Sequence, residues 1–191
     1  MSTLETNLIQ PATGTTLTVG ASGDTIDIPS GATLDATGAT ITGALTNTPG
    51  FFAYLGSDQT GFSENTYTLV ACASEDHDTD NAYDTSTYKF TPQVAGKYYI
   101  YGSVRAQEST SNTNQVEMVI YKNGSPTNAG YTTIDDRNNP GADTTTQISQ
   151  AIDMNGSSDY VQIYCKVENA SGATTGFKGT GTYFGGYKLI G

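Results

Sequence analysis

Tyr83-Asp84-Thr85-Ser86-Thr87-Tyr88-Lys89-Phe90-Thr91-Pro92-Gln93-Val94-Ala95-Gly96-Lys97-Tyr98-Tyr99-Ile100 is the stretch that decides the fold. Its turn signal, Val94-Ala95-Gly96, opens directly into Lys97-Tyr-Tyr-Ile-Tyr-Gly-Ser-Val104, a short run of aromatic and β-branched residues. Such runs fit a pleated, half-buried surface. Working outward, similar runs recur at 66–73, 115–121, 146–152, 160–167 and 182–190, with further turns at Lys122-Asn-Gly-Ser125 and Asn155-Gly-Ser-Ser158. No window holds a sustained 3.6-residue period with helix caps. Many short strands between Asn, Gly and Pro turns predict an all-β sandwich or jelly roll.

Composition agrees. The 191 residues include 32 Thr, 22 Gly and 13 Tyr but no Trp, which suits strands joined by tight turns. Charged residues make up only 14%, and the net charge is −11. That balance repels phosphate backbones and anionic lipid, so neither nucleic acid nor a membrane is expected as a partner. No stretch approaches the ~18 apolar residues of a spanning helix, and the first residues carry no basic and apolar leader pattern. Two cysteines, Cys72 and Cys165, are too few for a disulfide framework.

The composition breaks at residue 50. Residues 1–50 contain no Phe, Tyr, Lys or Arg, and side chains no larger than Leu, Ile and Met cannot close a core in so short a segment. Leu17, Ile26, Leu34 and Ile41 recur at steps of 9, 8 and 7 residues, separated by Gly20–Asp24, Pro29–Gly31 and Thr37-Gly38. This spacing predicts thin rungs of a β-prism or β-helix over 17–50, buried against other copies of the chain. A flexible linker is the plainer alternative. Residues 1–16 form a terminal arm whose only bulky apolar side chains, Leu4, Leu8 and Ile9, are the candidate anchor.

Four motifs in order resemble the C1q/TNF-like head. The Tyr-Asp loop, Phe-Thr strand and Pro-x-x-x-Gly turn of 83–100 come first. They are followed by Val119-Ile-Tyr-Lys-Asn-Gly124, by Ile152-x-Met154 leading to Asp159-Tyr-Val161-x-Ile163, and by Tyr183-Phe-Gly-Gly-Tyr-Lys-Leu-Ile190. The resemblance covers 51–191 and departs in the Asp135–Asp143 loop and in lacking a collagen-type segment ahead of the head. It implies a ten-strand jelly roll, assembled as a trimer, that binds and scaffolds. The 17–50 segment is similar in style to stalks of bacteriophage fibre and capsid-decoration proteins.

Candidate sites follow from the same residues. Tyr160 and Tyr164 lie opposite Cys165 on their strand, as Tyr99 and Tyr101 lie opposite Tyr98 and Ile100. A strand apolar on one side and aromatic on the other has two buried faces, so Tyr99, Tyr101, Tyr160 and Tyr164 are assigned to a trimer interface on a three-fold axis. A sugar-binding aromatic platform is the alternative. Cys165 shares parity with Val161, Ile163 and Val167 and is read as a small core residue. Glu75-Asp-His-Asp-Thr-Asp80 is the one dense acidic loop; Asp76, Asp78 and Asp80 alternate as calcium ligands would, but without the EF-hand glycine or bidentate Glu. A solvated loop, with no cofactor, is the expectation there. Asp135, Asp136, Arg137 and Asp143 are a weaker cation candidate. The single histidine, His77, has no nucleophile motif around it, so no enzymatic activity is expected.

These readings combine into a homotrimeric virion structural protein of a bacteriophage. An arm at 1–16 docks on the major capsid protein or another virion protein, a stalk at 17–50 lifts a knob at 51–191, and the knob is exposed on the virion surface. Capsid decoration is favoured over a tail fibre because the chain is short and begins at the anchor. The rivals are a fibre or adhesin binding host surface glycans and a secreted C1q-like lectin.

Overall fold

The computed structural model describes residues 13–16, 18–35, 37–38, 47–108, 113–135, 143–169 and 175–189. By contacts the chain divides into two units, Met1–Ala44 and Leu45–Gly191. The second unit is the head. It reaches back to Asn47 because the Lys188 N–H donates to the carbonyls of Asn47 and Pro49.

Among the described residues the head has thirteen strands and no helix. They are β1 (Gly50–Tyr54), β2 (Gln59–Phe62), β3 (Thr68–Leu69), β4 (Ser74–Asp78), β5 (Tyr83–Asp84), β6 (Lys89–Phe90) and β7 (Gly96–Glu108). There follow β8 (Thr113–Lys122), β9 (Ser125–Asp135), β10 (Asp143–Met154), β11 (Val161–Asn169), β12 (Thr175–Phe177) and β13 (Tyr183–Lys188). One sheet runs β2-β12-β7-β13-β1-β4, with β10 also paired to β7; the other runs β5-β6-β11-β8-β9, with β3 beside β11. The count exceeds the expected ten because ladders are interrupted. β3, β5 and β6 have two residues each, and β12 and β13 pair with different parts of the same strand, β7.

Alternation decides what each strand buries. β7 sends Tyr98, Ile100, Val104 and Ala106 inward, and β10, antiparallel from Gly96↔Met154 to Gln107↔Asp143, adds Ile148, Ile152 and Met154. Val116, Met118, Ile120, Ile163, Cys165 and Val167 face them from the second sheet. Each of the Val, Ile and Met side chains among them contributes about 1.5–3 kcal/mol by leaving water. Cys72 and Cys165 are free, buried thiols, and burial pushes the Cys72 thiol up to about 12.

The deciding stretch works as a clasp. Phe51 stacks on Phe90 at 4.4 Å and on Tyr83 at 4.7 Å, and the Tyr83 hydroxyl donates to the Cys72 carbonyl at 2.8 Å. Between β5 and β6 the Asp84 carboxylate accepts from the Ser86 and Thr87 hydroxyls and backbone N–H groups. These bonds hold the Asp84 carboxyl down at about 2. At the next turn, the Tyr98 hydroxyl donates to the Val94 carbonyl at 2.7 Å.

In the first unit, the expected turns are present. Asp24 N–H donates to the Ala21 carbonyl and Ala32 N–H to that of Pro29, each at 3.0 Å. The expected rungs do not show among the described residues, where no strand occurs before Gly50. Val19, Ile26, Ile28 and Leu34 are 45–70% exposed. Leu4, Leu8, Ile9, Leu17 and Ile41 lie outside the described residues.

Candidate functional site

The outward face of the first sheet is aromatic. β7 presents Tyr99 and Tyr101, β13 presents Tyr183 and Tyr187, and β1 presents Phe52. Ring centroids are 6.1 Å apart for Tyr99–Tyr101, 5.7 Å for Tyr99–Tyr187, 6.4 Å for Tyr101–Tyr183 and 5.4 Å for Phe52–Tyr183. All are half-buried except Tyr187, which is exposed. Beside the rings lies a shallow concavity of about 390 Å³, lined by Tyr99, Tyr101, Tyr183, Gln147, Ile148 and Ser149. Burial raises the Tyr101 hydroxyl pKa.

Tyr160 and Tyr164 do not join it. They belong to the second sheet's outward side, so the four tyrosines assigned to one axis lie on opposite faces of the sandwich. The reason is pairing: β7 joins β10 and β13, whereas β11 joins β8. Tyr164 stacks on Tyr121 at 4.2 Å, Tyr67 meets Tyr121 edge-on at 6.4 Å, and Tyr131 lies across the ladder from Val119. Val119 is fully buried yet is not part of the main core, which marks this cluster as a small second core on the outside of the sheet.

Polar groups brace the same surface. The Tyr67 hydroxyl donates to Glu117, the Lys166 ammonium pairs with Glu117 at 2.9 Å, and that ammonium also sits 5.2 Å above the Tyr67 ring. Burial opposes the charged form of Glu117, but the hydrogen bonds from Tyr67 and Lys166 outweigh it and lower its pKa. Lys89 lies 4.2 Å over the Tyr160 ring.

The acidic stretch is not a loop throughout. Ser74–Asp78 is an edge strand on β1, because Phe51 and Phe52 pair with Asp78 and His77. Asp78 accepts from the Ala82 and Tyr83 N–H groups at 3.0 Å, closing the turn that follows. Asp76 points to His77, 3.7 Å away. Asp76, Asp78 and Asp80 are therefore not brought together, and no group of three or more His, Cys, Asp or Glu side chains converges among the described residues. Asp143 pairs with Arg105 at 2.7 Å, while Asp136 and Arg137 lie outside the described residues.

Two of the sequence motifs meet in space. Asn123, in the β8–β9 turn, donates from Nδ2 to Asp159 Oδ1 at 2.8 Å, and Lys122 Nζ pairs with Asp159 Oδ2 at 2.8 Å. Asp159 is held low by its hydrogen bonds from Lys122 and Asn123.

Among solved structures, the chain is similar to the globular domain of a zebrafish complement 1qA protein. They share 15% identity over 75% of this chain and 98% of that one, with a TM-score of 0.50. It is also similar to murine APRIL, at 12% identity over 73% of this chain and 98% of that one, with a TM-score of 0.51. No family model matches the sequence, and no curated protein does. At these identities the likeness concerns the fold: the chain carries the two-sheet jelly roll of C1q and TNF-type domains.

Proposed function

We propose that this chain is a homotrimeric, non-enzymatic structural protein whose heads associate through the Tyr99–Tyr101–Tyr183–Tyr187 face. The observation that carries this reading is that face itself: five aromatic rings gathered on one side of a sheet, each at least partly open to solvent. Contiguous apolar patches of this kind mark interaction surfaces. The C1q/TNF-like motifs support further copies of the chain as the partner, since trimers are what that resemblance implies. Val19, Ile26, Ile28 and Leu34 are exposed in a single chain, and three-fold intertwining gives them a place to be buried.

Within this reading the protein decorates a bacteriophage capsid, with Leu4, Leu8 and Ile9 docking on the major capsid protein and the head displayed outside. The support is the phage-like style of residues 17–50 and an acidic surface unsuited to nucleic acid. Sedimentation of the full chain tests assembly: a trimer at micromolar concentration is expected, and a stable soluble monomer overturns it. Counting copies on intact particles tests location, hundreds meaning decoration and a few dozen or fewer a fibre.

A second reading, a glycan-binding adhesin, is favoured by the opposite sheet. There Tyr131 is 46% exposed, Tyr160 and Tyr164 are half-exposed, and Lys89 and Lys166 lie over the rings of Tyr160 and Tyr67. Glycan-array binding that is lost on Tyr131→Ala would support it.

A further inference from the structure

The sequence contains two Asn-Gly dipeptides, Asn123-Gly124 and Asn155-Gly156, both in turns of the head. Asn-Gly is the dipeptide most open to deamidation, because glycine offers no Cβ to block its own nitrogen. That nitrogen attacks the Asn Cγ, closing a five-membered succinimide. The Cγ–Nδ2 bond breaks, and the proton from the peptide N–H leaves with the nitrogen as ammonia. Water then opens the ring at either carbonyl, leaving aspartate or isoaspartate.

Asn123 and Gly124 are exposed, so water is at hand and only geometry protects them. The two residues have φ of +53° and +78°, the left-handed pair of a tight hairpin turn. The amide is pinned at both ends: Nδ2 donates to Asp159 Oδ1 at 2.8 Å, and Oδ1 accepts from the Tyr160 N–H at 2.9 Å. Turning Cγ onto the Gly124 nitrogen breaks both bonds. Asp159 is itself only 9% exposed, and its other oxygen takes the Asn155 N–H at 2.9 Å and Lys122 Nζ at 2.8 Å. Asn155 is tied into the same knot, its Oδ1 accepting from the N–H groups of Ser157, Ser158 and Asp159.

We propose that Asn123-Gly124 is a latent deamidation site held shut by Asp159. Deamidation there is also destructive. A carboxylate replaces the amide donor and faces Asp159 across the same gap, so like charges meet where a hydrogen bond stood. The side-chain tie between the β8–β9 turn and the start of β11 is then lost, and the change cannot be reversed by refolding.

The test is peptide mapping by mass spectrometry, with isoaspartate detection, on full-length protein incubated at mildly alkaline pH. Wild type, Asp159→Ala and wild type unfolded in urea are compared. The folded Asp159→Ala protein is expected to deamidate at Asn123 about tenfold faster than wild type or more, the factor one charge-assisted hydrogen bond represents. A folded variant with the wild-type rate overturns the proposal. If the variant does not fold, the comparison of native with urea-unfolded wild type decides: slower loss in the native state supports the clamp, and equal rates at Asn123 overturn it.

Discussion

Tyr101 lies flat across Gly185. The two are paired in register on β7 and β13, and a Cβ built on Gly185 would stand 2.5 Å from the ring carbon Cζ. No real side chain tolerates that approach, so any residue other than glycine lifts the ring and reshapes the concavity beside it. Gly185→Val is expected to leave the sandwich folded, because the clash is on its outer side, yet to weaken assembly. Sedimentation velocity and near-ultraviolet circular dichroism would record both effects; an unchanged trimer would remove this face from the interface.

Placing aspartate on each sheet separates the two tyrosine faces. Tyr101→Asp should dissociate the proposed trimer, since on that reading three carboxylates would meet in a desolvated contact. Tyr164→Asp should leave the trimer intact and destabilise the head by about 1–3 kcal/mol, because it uncovers Val119 and loses the stack on Tyr121. The reverse outcome would move the interface to the second sheet.

Removal of residues 1–44 should give a head that folds and trimerises alone, since the core and every aromatic residue lie beyond that point. On the capsid-decoration proposal, removal of 1–16 should keep the trimer but abolish binding to emptied particles. A truncated trimer that still decorates them would place the anchor in the head.

Acid should destabilise the head in a defined window. Asp84, Asp159 and Glu117 all have folded pKa values below their ordinary ones of 3.8, 3.8 and 4.5. The unfolded chain therefore takes up protons first as pH falls. Their contribution is complete above about pH 4.5 and is lost as pH drops toward 2. Thermal melts between pH 6 and 2 should show the midpoint level at first and then falling. Asp84→Asn should flatten the lowest part of the curve.

Chelation should change nothing. Asp78 spends its carboxylate on the Ala82 and Tyr83 N–H groups, so the acidic strand offers no assembled cation site. An EDTA-induced drop of several degrees in Tm would instead show a bound ion stabilising the native state.

Parity along a strand was readable from the sequence, and it sorted Tyr98 and Ile100 inward from Tyr99 and Tyr101 outward. It carries no information on which sheet a strand joins, because that depends on pairing across tens of residues. Outward on β7 and outward on β11 therefore point in opposite directions, and Tyr160 and Tyr164 do not share one face with Tyr99 and Tyr101. Tyr183 and Tyr187 show the same alternation and were legible as partners of Tyr99, but only once β13 is known to pair with β7. Val119 could not be recognised as a second core, since its cross-strand neighbours, Tyr131 and Tyr164, come from two other strands. The Asn123–Asp159 contact spans 36 residues and leaves no local pattern. Residues 18–35 show their turns in the sequence, while the exposure of Val19, Ile26, Ile28 and Leu34 does not follow from it.

His77 stacks on Phe52 at 6.4 Å, at the margin of the tyrosine face, and the chain has no other histidine. A proton spectrum of this protein therefore contains one imidazole, and ring currents from Phe52 and its neighbours set its chemical shift. That single line is a native, label-free reporter placed beside the surface in question. Its position and width, followed during dilution, would register whether the face is open or covered without altering a residue.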